Sequence, residues 1–187
     1  MLLTTDPPSS ASVSANLSPF SVADLYSVCV RGTDGFGNTG PDSCVRLPVY
    51  NAAGEWITGG GRMIVPPNAY DSNPTPATFH FKAKYASGAS APSGDLELRG
   101  VGNGNLHFES TSLDWLVLIS AQRGAVIRGK GRLNASYDCA FEAEAWADSY
   151  QPGDRQRMGL RIFDCTGGGG GLNLGPTEVQ GSIVIHR

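Results

Sequence analysis

Apolar and polar residues alternate with a period of two along most of this chain, as they do in half-buried strands. The clearest stretch runs from Thr78 to Tyr85, where Phe79, Phe81, Ala83 and Tyr85 share one face and His80, Lys82 and Lys84 the other. Similar stretches predict strands at about 55–65, 77–86, 94–101, 105–110, 114–121, 124–134, 137–147, 156–164 and 180–186, separated by Gly, Pro and Asn turns. Helical periodicity is nowhere sustained, and no repeat of fixed period appears. The expectation is an all-β fold over 51–187, a β-sandwich of jelly-roll or immunoglobulin-like type. Ahead of it, residues 1 to about 18 are rich in Ser, Pro and Thr and read as a linker or edge strand, and 22–50 read as a hairpin. A lone hairpin is marginal in water, so the 1–50 segment needs a partner surface, on its own chain or on another copy.

Cysteines at 29, 44, 139 and 165 sharpen this picture. Around the turn-rich stretch 34–40, setting Cys29 opposite Cys44 also sets Val28 opposite Val45 and Tyr26 opposite Leu47. One register joins the sulfurs and aligns the apolar face, with Arg31 and Arg46 on the cysteine side. Placing Cys139 directly opposite Cys165 is less clean. It puts the Phe141, Ala143, Ala145 face one residue out of step with the Met158, Leu160, Ile162 face, so a bulge or a diagonal approach is needed. Neither pair has CxxC spacing and there are 3 His, which argues for two bridges over a zinc site. Two structural disulfides suit an oxidising compartment, extracellular or at the cell surface. Met1-Leu2-Leu3 runs at once into Thr4-Thr5-Asp6-Pro7-Pro8, so the start reads as a fragment or a processed end and not as a secretory signal.

Composition narrows the function classes. The 187 residues hold 17% charged residues, 25 Gly and 12 Pro, a balance that suits short strands and many turns. The net charge is −3 and no Lys/Arg cluster occurs, so the footprint of a nucleic-acid binder is missing. No apolar run reaches the length of a membrane-spanning helix.

Two family resemblances enter here. Residues 28–40, Val-Cys-Val-Arg-Gly-Thr-Asp-Gly-Phe-Gly-Asn-Thr-Gly, resemble the last hairpin of bacterial immunoglobulin-like repeats, over about 10–50 only. Across 51–187 the chain resembles the post-COAP-type C-terminal module of large secreted bacterial proteins. The matching stretches are Ile57-Thr58-Gly59-Gly60-Gly61, then residues 77–85 (Ala-Thr-Phe-His-Phe-Lys-Ala-Lys-Tyr), 106–117 (Leu-His-Phe-Glu-Ser-Thr-Ser-Leu-Asp-Trp-Leu-Val) and 181–187 (Gly-Ser-Ile-Val-Ile-His-Arg). Arg62, where an aromatic often follows the glycines, and the Cys139/Cys165 pair depart from that pattern. The resemblance implies a secreted or surface β module and supplies no catalytic residues.

Candidate chemistry is sparse. His107 and Glu109 alternate on one strand face about 7 Å apart, with Asp114 shortly after, the raw material of a hydrolase or lyase. The plainer reading is a polar outer face with Leu106 and Phe108 inward. His80 and His186 add imidazoles without spacing that joins them to His107. Asp34, Asn38 and Asp42 offer oxygens to Ca²⁺ but lack the spacing of a calcium loop, and an Asx turn accounts for Asp34 and Asn38. No other cofactor or metal site is expected. The glycine runs 59–61 and 167–171 are not phosphate loops, and G-x-S-x-G does not occur. Among the tryptophans, Trp115 sits in an apolar run and reads as core. Trp146 alternates with Glu142 and Glu144, and these three form the candidate binding face of a carbohydrate-binding module. The expectation is a non-enzymatic structural or adhesive module that self-associates or packs on neighbouring domains through 1–50, with carbohydrate binding as the alternative.

Overall fold

The computed structural model of the chain describes residues 14, 16, 20–50, 56–68, 72–101, 106–119, 123–147, 155–168 and 170–186. Apart from residues 14 and 16, the expected linker at 1–18 and the turns at 51–54 and 151–154 lie outside them. Strands β1 (Asp24–Val30) and β2 (Ser43–Val49) form an antiparallel hairpin. Then come β3 (Trp56–Val65), β4 (Thr75–Lys84), β5 (Ser93–Gly100), β6 (His107–Ile119), β7 (Gly124–Leu133), β8 (Tyr137–Trp146), β9 (Arg157–Phe163) and β10 (Leu172–His186). Each of these eight pairs antiparallel with the next, and β10 returns to pair with β3. The fold is all-β, as the alternation predicts.

The expected sandwich is corrected to a closed barrel. The reason lies in β10, which begins eight residues earlier than the expected strand at 180–186. Residues 172–178 pair with β9, the register shifts between Leu174 and Thr177 across Gly175-Pro176, and residues 179–186 pair with β3. Where β10 leaves β9, the Gln156 side chain takes the place of a strand: the Ile183 N–H donates to its Oε1 at 2.6 Å and its Nε2 donates to the Ile183 carbonyl at 3.3 Å. The seam therefore leaves no open edge. Eight strands enclose a space that side chains can fill, and here Ile57, Phe79, Phe81, Leu96, Leu98, Phe108, Ile127, Phe141 and Leu160 fill it. Phe108 meets Phe141 edge-on at 5.2 Å. A Cβ on Gly59 would strike the Phe81 ring and one on Gly131 the Phe108 ring, so these glycines make room for the large side chains.

The separate strands expected at 105–110 and 114–121 are one strand. Two bulges, at Thr111 and Asp114, let β6 stay paired with β7 while it bends around the barrel. Just past the second, the Leu116 N–H donates to the Tyr85 hydroxyl at 3.1 Å. Burial pushes the Tyr85 phenol up to about 12, against the opposing effect of that hydrogen bond.

The hairpin register is the expected one, Cys29 opposite Cys44, Val28 opposite Val45 and Tyr26 opposite Leu47. Both disulfides form. Ala140 pairs with Phe163, which leaves Cys139 and Cys165 offset by one residue. Asp164 supplies the diagonal approach by taking φ 52, a left-handed kink that brings Cys165 back to Cys139. The hairpin lies against β6, and Tyr50 at its end stacks on Tyr85 at 4.7 Å. Val117 and Val126 face each other on the outside of the barrel, out of phase with the interior Leu116, Leu118 and Ala125, yet both are buried. The outer face of β6 and β7 is thus covered around Val117 and Val126, while Lys130 and Arg132 farther along β7 are exposed.

Candidate functional site

The distal part of the hairpin stands free. Every residue from Cys29 to Arg46 is exposed, yet the loop is tightly organised. The Asp34 carboxylate accepts the backbone N–H groups of Phe36 (2.9 Å) and Asn38 (2.8 Å) and the Asn38 side-chain amide (2.9 Å). Its N–H donates to the Asn38 carbonyl, and Gly37, at φ 87, closes the turn onto the Asp34 carbonyl. These bonds, the Asn38 amide first among them, hold the Asp34 carboxyl below the usual carboxylate range. Below the loop, Thr33 bridges to Thr39, Arg31 forks onto both oxygens of Asp42, and the Cys29–Cys44 disulfide closes the stem. The oxygens weighed for Ca²⁺ are engaged in this way, Asp34 as the hub of an Asx turn and Asp42 with Arg31. At the apex Phe36 is 95% exposed, and Val45 (65%) and Val30 (51%) are open on the stem.

Where hairpin meets barrel there is a charged seam. Glu142 on β8 faces outward, since Phe141 and Ala143 face in, but is only 6% exposed. It pairs with Arg46 of the hairpin, and Arg128 on β7 lies 3.8 Å from its other oxygen. Arg128 and Arg161 each place a guanidinium 5.0 Å from the Phe163 ring centre. Arg46, Glu142, Glu144, Arg161 and Asn173 border a cleft of about 120 Å³ beside the β10 bulge. Of the expected binding face, Glu142 and Glu144 line this cleft. Trp146 lies on the same outer face one step beyond, half-buried over Gly124, so its ring packs on the barrel. Trp115, expected in the core, is corrected to the outer face: it sits half-buried across from Arg128, because the Asp114 bulge resets the alternation.

His107, Glu109 and Asp114 are not gathered into one site. Glu109 pairs across to Glu97 on one side and Arg132 on the other, and Asp114 lies beyond the first bulge. The carboxylate that meets His107 is Glu97, at 3.0 Å, with Arg99 at 2.8 Å from the same oxygen. His80 reaches the other Glu97 oxygen at 3.4 Å and Asp95 at 2.8 Å. Burial acts to raise the Glu97 carboxyl, but the hydrogen bonds from Arg99 and His107 and the nearby positive charge outweigh it and hold it below its ordinary value. His186 stays apart, stacked on Trp56 at 3.4 Å, with Lys84 5.7 Å from the Trp56 ring on the opposite neighbouring strand. Among the described residues no group of three or more His, Cys, Asp and Glu is arranged to hold a metal ion.

Sequence reasoning missed Glu97, Asp95 and Arg99, the partners of two histidines, and Arg46 as the partner of Glu142. The outward positions of β5 were legible from their alternation with Leu96 and Leu98; which strand lay beside them was not. Phe36, a lone aromatic among Gly, Asp and Asn, did carry a signal. Comparison of the chain with protein-family models, with curated proteins and with solved structures finds no match in any of the three.

Proposed function

We propose that this chain is a non-catalytic structural or adhesive β module that works outside the cell by holding on to other copies of itself or to neighbouring domains through its N-terminal segment. The observation that carries this reading is the free distal part of the hairpin: a stem closed by a disulfide, a loop tied by one carboxylate, and a fully presented Phe36 at the tip. A two-stranded hairpin without packing is marginal, so these braces serve to keep a contact surface in shape. Pre-organisation of that kind lowers the entropy lost on association. Two disulfides suit an oxidising compartment, and the resemblances to secreted bacterial modules point the same way. The filled barrel interior favours a scaffold over an internal ligand site.

Size-exclusion chromatography with light scattering tests the reading. The full chain is compared with a variant in which residues 32–41 are replaced by a short Gly-Asn turn, keeping the disulfide. A mass that rises with concentration in the full chain and falls back to the monomer in the variant supports it. A full chain that stays monomeric, alone and with adjoining domains, sinks it.

A second reading, carbohydrate binding, is favoured by the seam cleft, where Glu142, Glu144, Arg161 and Asn173 offer paired donors and acceptors. Titration of a polysaccharide panel against tryptophan fluorescence, repeated with Trp146→Ala and Glu144→Gln, tests it. No change across the panel removes this alternative.

A further inference from the structure

The barrel carries a second exposed apolar feature. Ile64 (53% exposed) and Pro76 face each other on the outer side of β3 and β4, and Val101 (52%) donates its N–H to the Pro76 carbonyl at 2.7 Å. Beside them, Arg62, Met63, Ile64, Pro76, Glu178 and Gln180 line a cleft of about 230 Å³. A cavity of about 150 Å³ already takes a benzene ring, so the cleft accommodates a phenyl side chain. A second cleft of about 250 Å³ adjoins it across Ile64.

This patch lies away from β6, the strand on which the hairpin packs. In the ring of strands, β3 stands four places from β7 in either direction, and the hairpin lies over β6 with Arg46 reaching β8. Phe36 is 95% exposed, so the finger does not occupy the cleft of its own molecule. Between molecules they meet head to tail.

We infer that Phe36 of one copy docks into the Ile64–Pro76 cleft of the next, joining copies of this chain through two different surfaces. This rests on the self-association reading above and names the contact that performs it. Charge supports the pairing. Arg62, at the rim, has no carboxylate partner among the described residues, whereas Arg155 and Glu178 neutralise each other at 2.8 Å. Asp34, beside Phe36, stays ionised because its bonds to Asn38 favour the charged form. The acidic tip therefore approaches a basic rim. A finger buries less surface than a standard stable interface, so association is weak for an isolated pair and gains strength where many copies are held together. Two unlike surfaces propagate as an open chain unless the rotation closes a ring.

Sedimentation analysis of the intact chain from about 10 µM to about 1 mM covers the affinity range of such a contact. Phe36→Ala and Ile64→Asp alter exposed side chains, so both variants keep the wild-type β spectrum and melting temperature. Each is expected to weaken self-association by about 10-fold or more. The decisive sample is their equimolar mixture. One variant retains the cleft and the other the finger, so together they form a dimer that cannot grow. Association in wild type, loss in each variant and dimers in the mixture support the contact. Monomeric wild type at the highest concentration overturns it together with the self-association reading. Association that survives both variants, is lost in only one, or fails to return as a dimer in the mixture overturns this contact and leaves self-association standing.

Discussion

Single residues carry some of the most readable physics in this molecule. The β7–β8 turn places both Asn134 (φ 53) and Ala135 (φ 57) in the left-handed region. Asn134 is suited to it, and its side-chain oxygen accepts the His107 N–H at 2.8 Å. Ala135 gains nothing comparable, so Ala135→Gly should stabilise the protein by about 1 kcal/mol, measured by urea unfolding. Glu97 offers a pH test. Its folded carboxyl titrates below its unfolded value, so its contribution is present above the ordinary carboxylate range and is lost as pH falls through that range to the folded value. Glu97→Gln should cost about 1 kcal/mol near pH 6, and the gap from wild type should narrow as pH falls below the ordinary carboxylate range. A gap that does not change with pH across the acid range would show that packing, not ionisation, sets the cost.

At the scale of elements, the hairpin is joined to the barrel by few interactions, of which the Arg46–Glu142 pair is the most specific. Glu142 is nearly buried and Arg46 is about half exposed. A double-mutant cycle with Arg46→Ala and Glu142→Gln should return a coupling of about 1–2 kcal/mol, between the surface and buried limits. Hydrogen exchange should show protection reduced in β1 and β2 while β3 to β5 are unaffected. The register of this hairpin was legible because one alignment satisfied cysteines and apolar residues together. The docking of Arg46 on Glu142 was not, because 96 residues separate them and nothing local marks either as the other's partner. β6 shows the same limit: its two bulges read as a turn because a break in alternation looks alike whether the chain reverses or merely bends.

For the whole molecule, the two disulfides should behave differently. Cys139–Cys165 closes 26 residues within the barrel wall, and replacing both cysteines by Ser should lower global stability by about 3 kcal/mol. Cys29–Cys44 closes a finger that lies outside the core. Its removal should leave the main thermal transition within about 0.5 kcal/mol, while protease cleavage at the tip rises. Equal losses from the two replacements would mean that finger and barrel unfold as one unit.

Sequence alone determined what depends on neighbours along the chain: which residues of a strand share a face, which cysteines close the hairpin, and that a one-residue offset separates Cys139 from Cys165. These follow from the period of two, a property of the backbone itself. Tertiary structure decided everything that depends on curvature and closure. Alternation says that Phe79, Phe81 and Phe141 point inward, but it is the same for a sandwich and a barrel. The pairing of β10 with β3, from His186 on Trp56 to Val179 on Met63, chose the barrel by joining stretches far apart in sequence. The registers of β4 on β5 and of β5 on β6 placed Glu97 within reach of both imidazoles, opposite His80 on one side and beside the partner of His107 on the other.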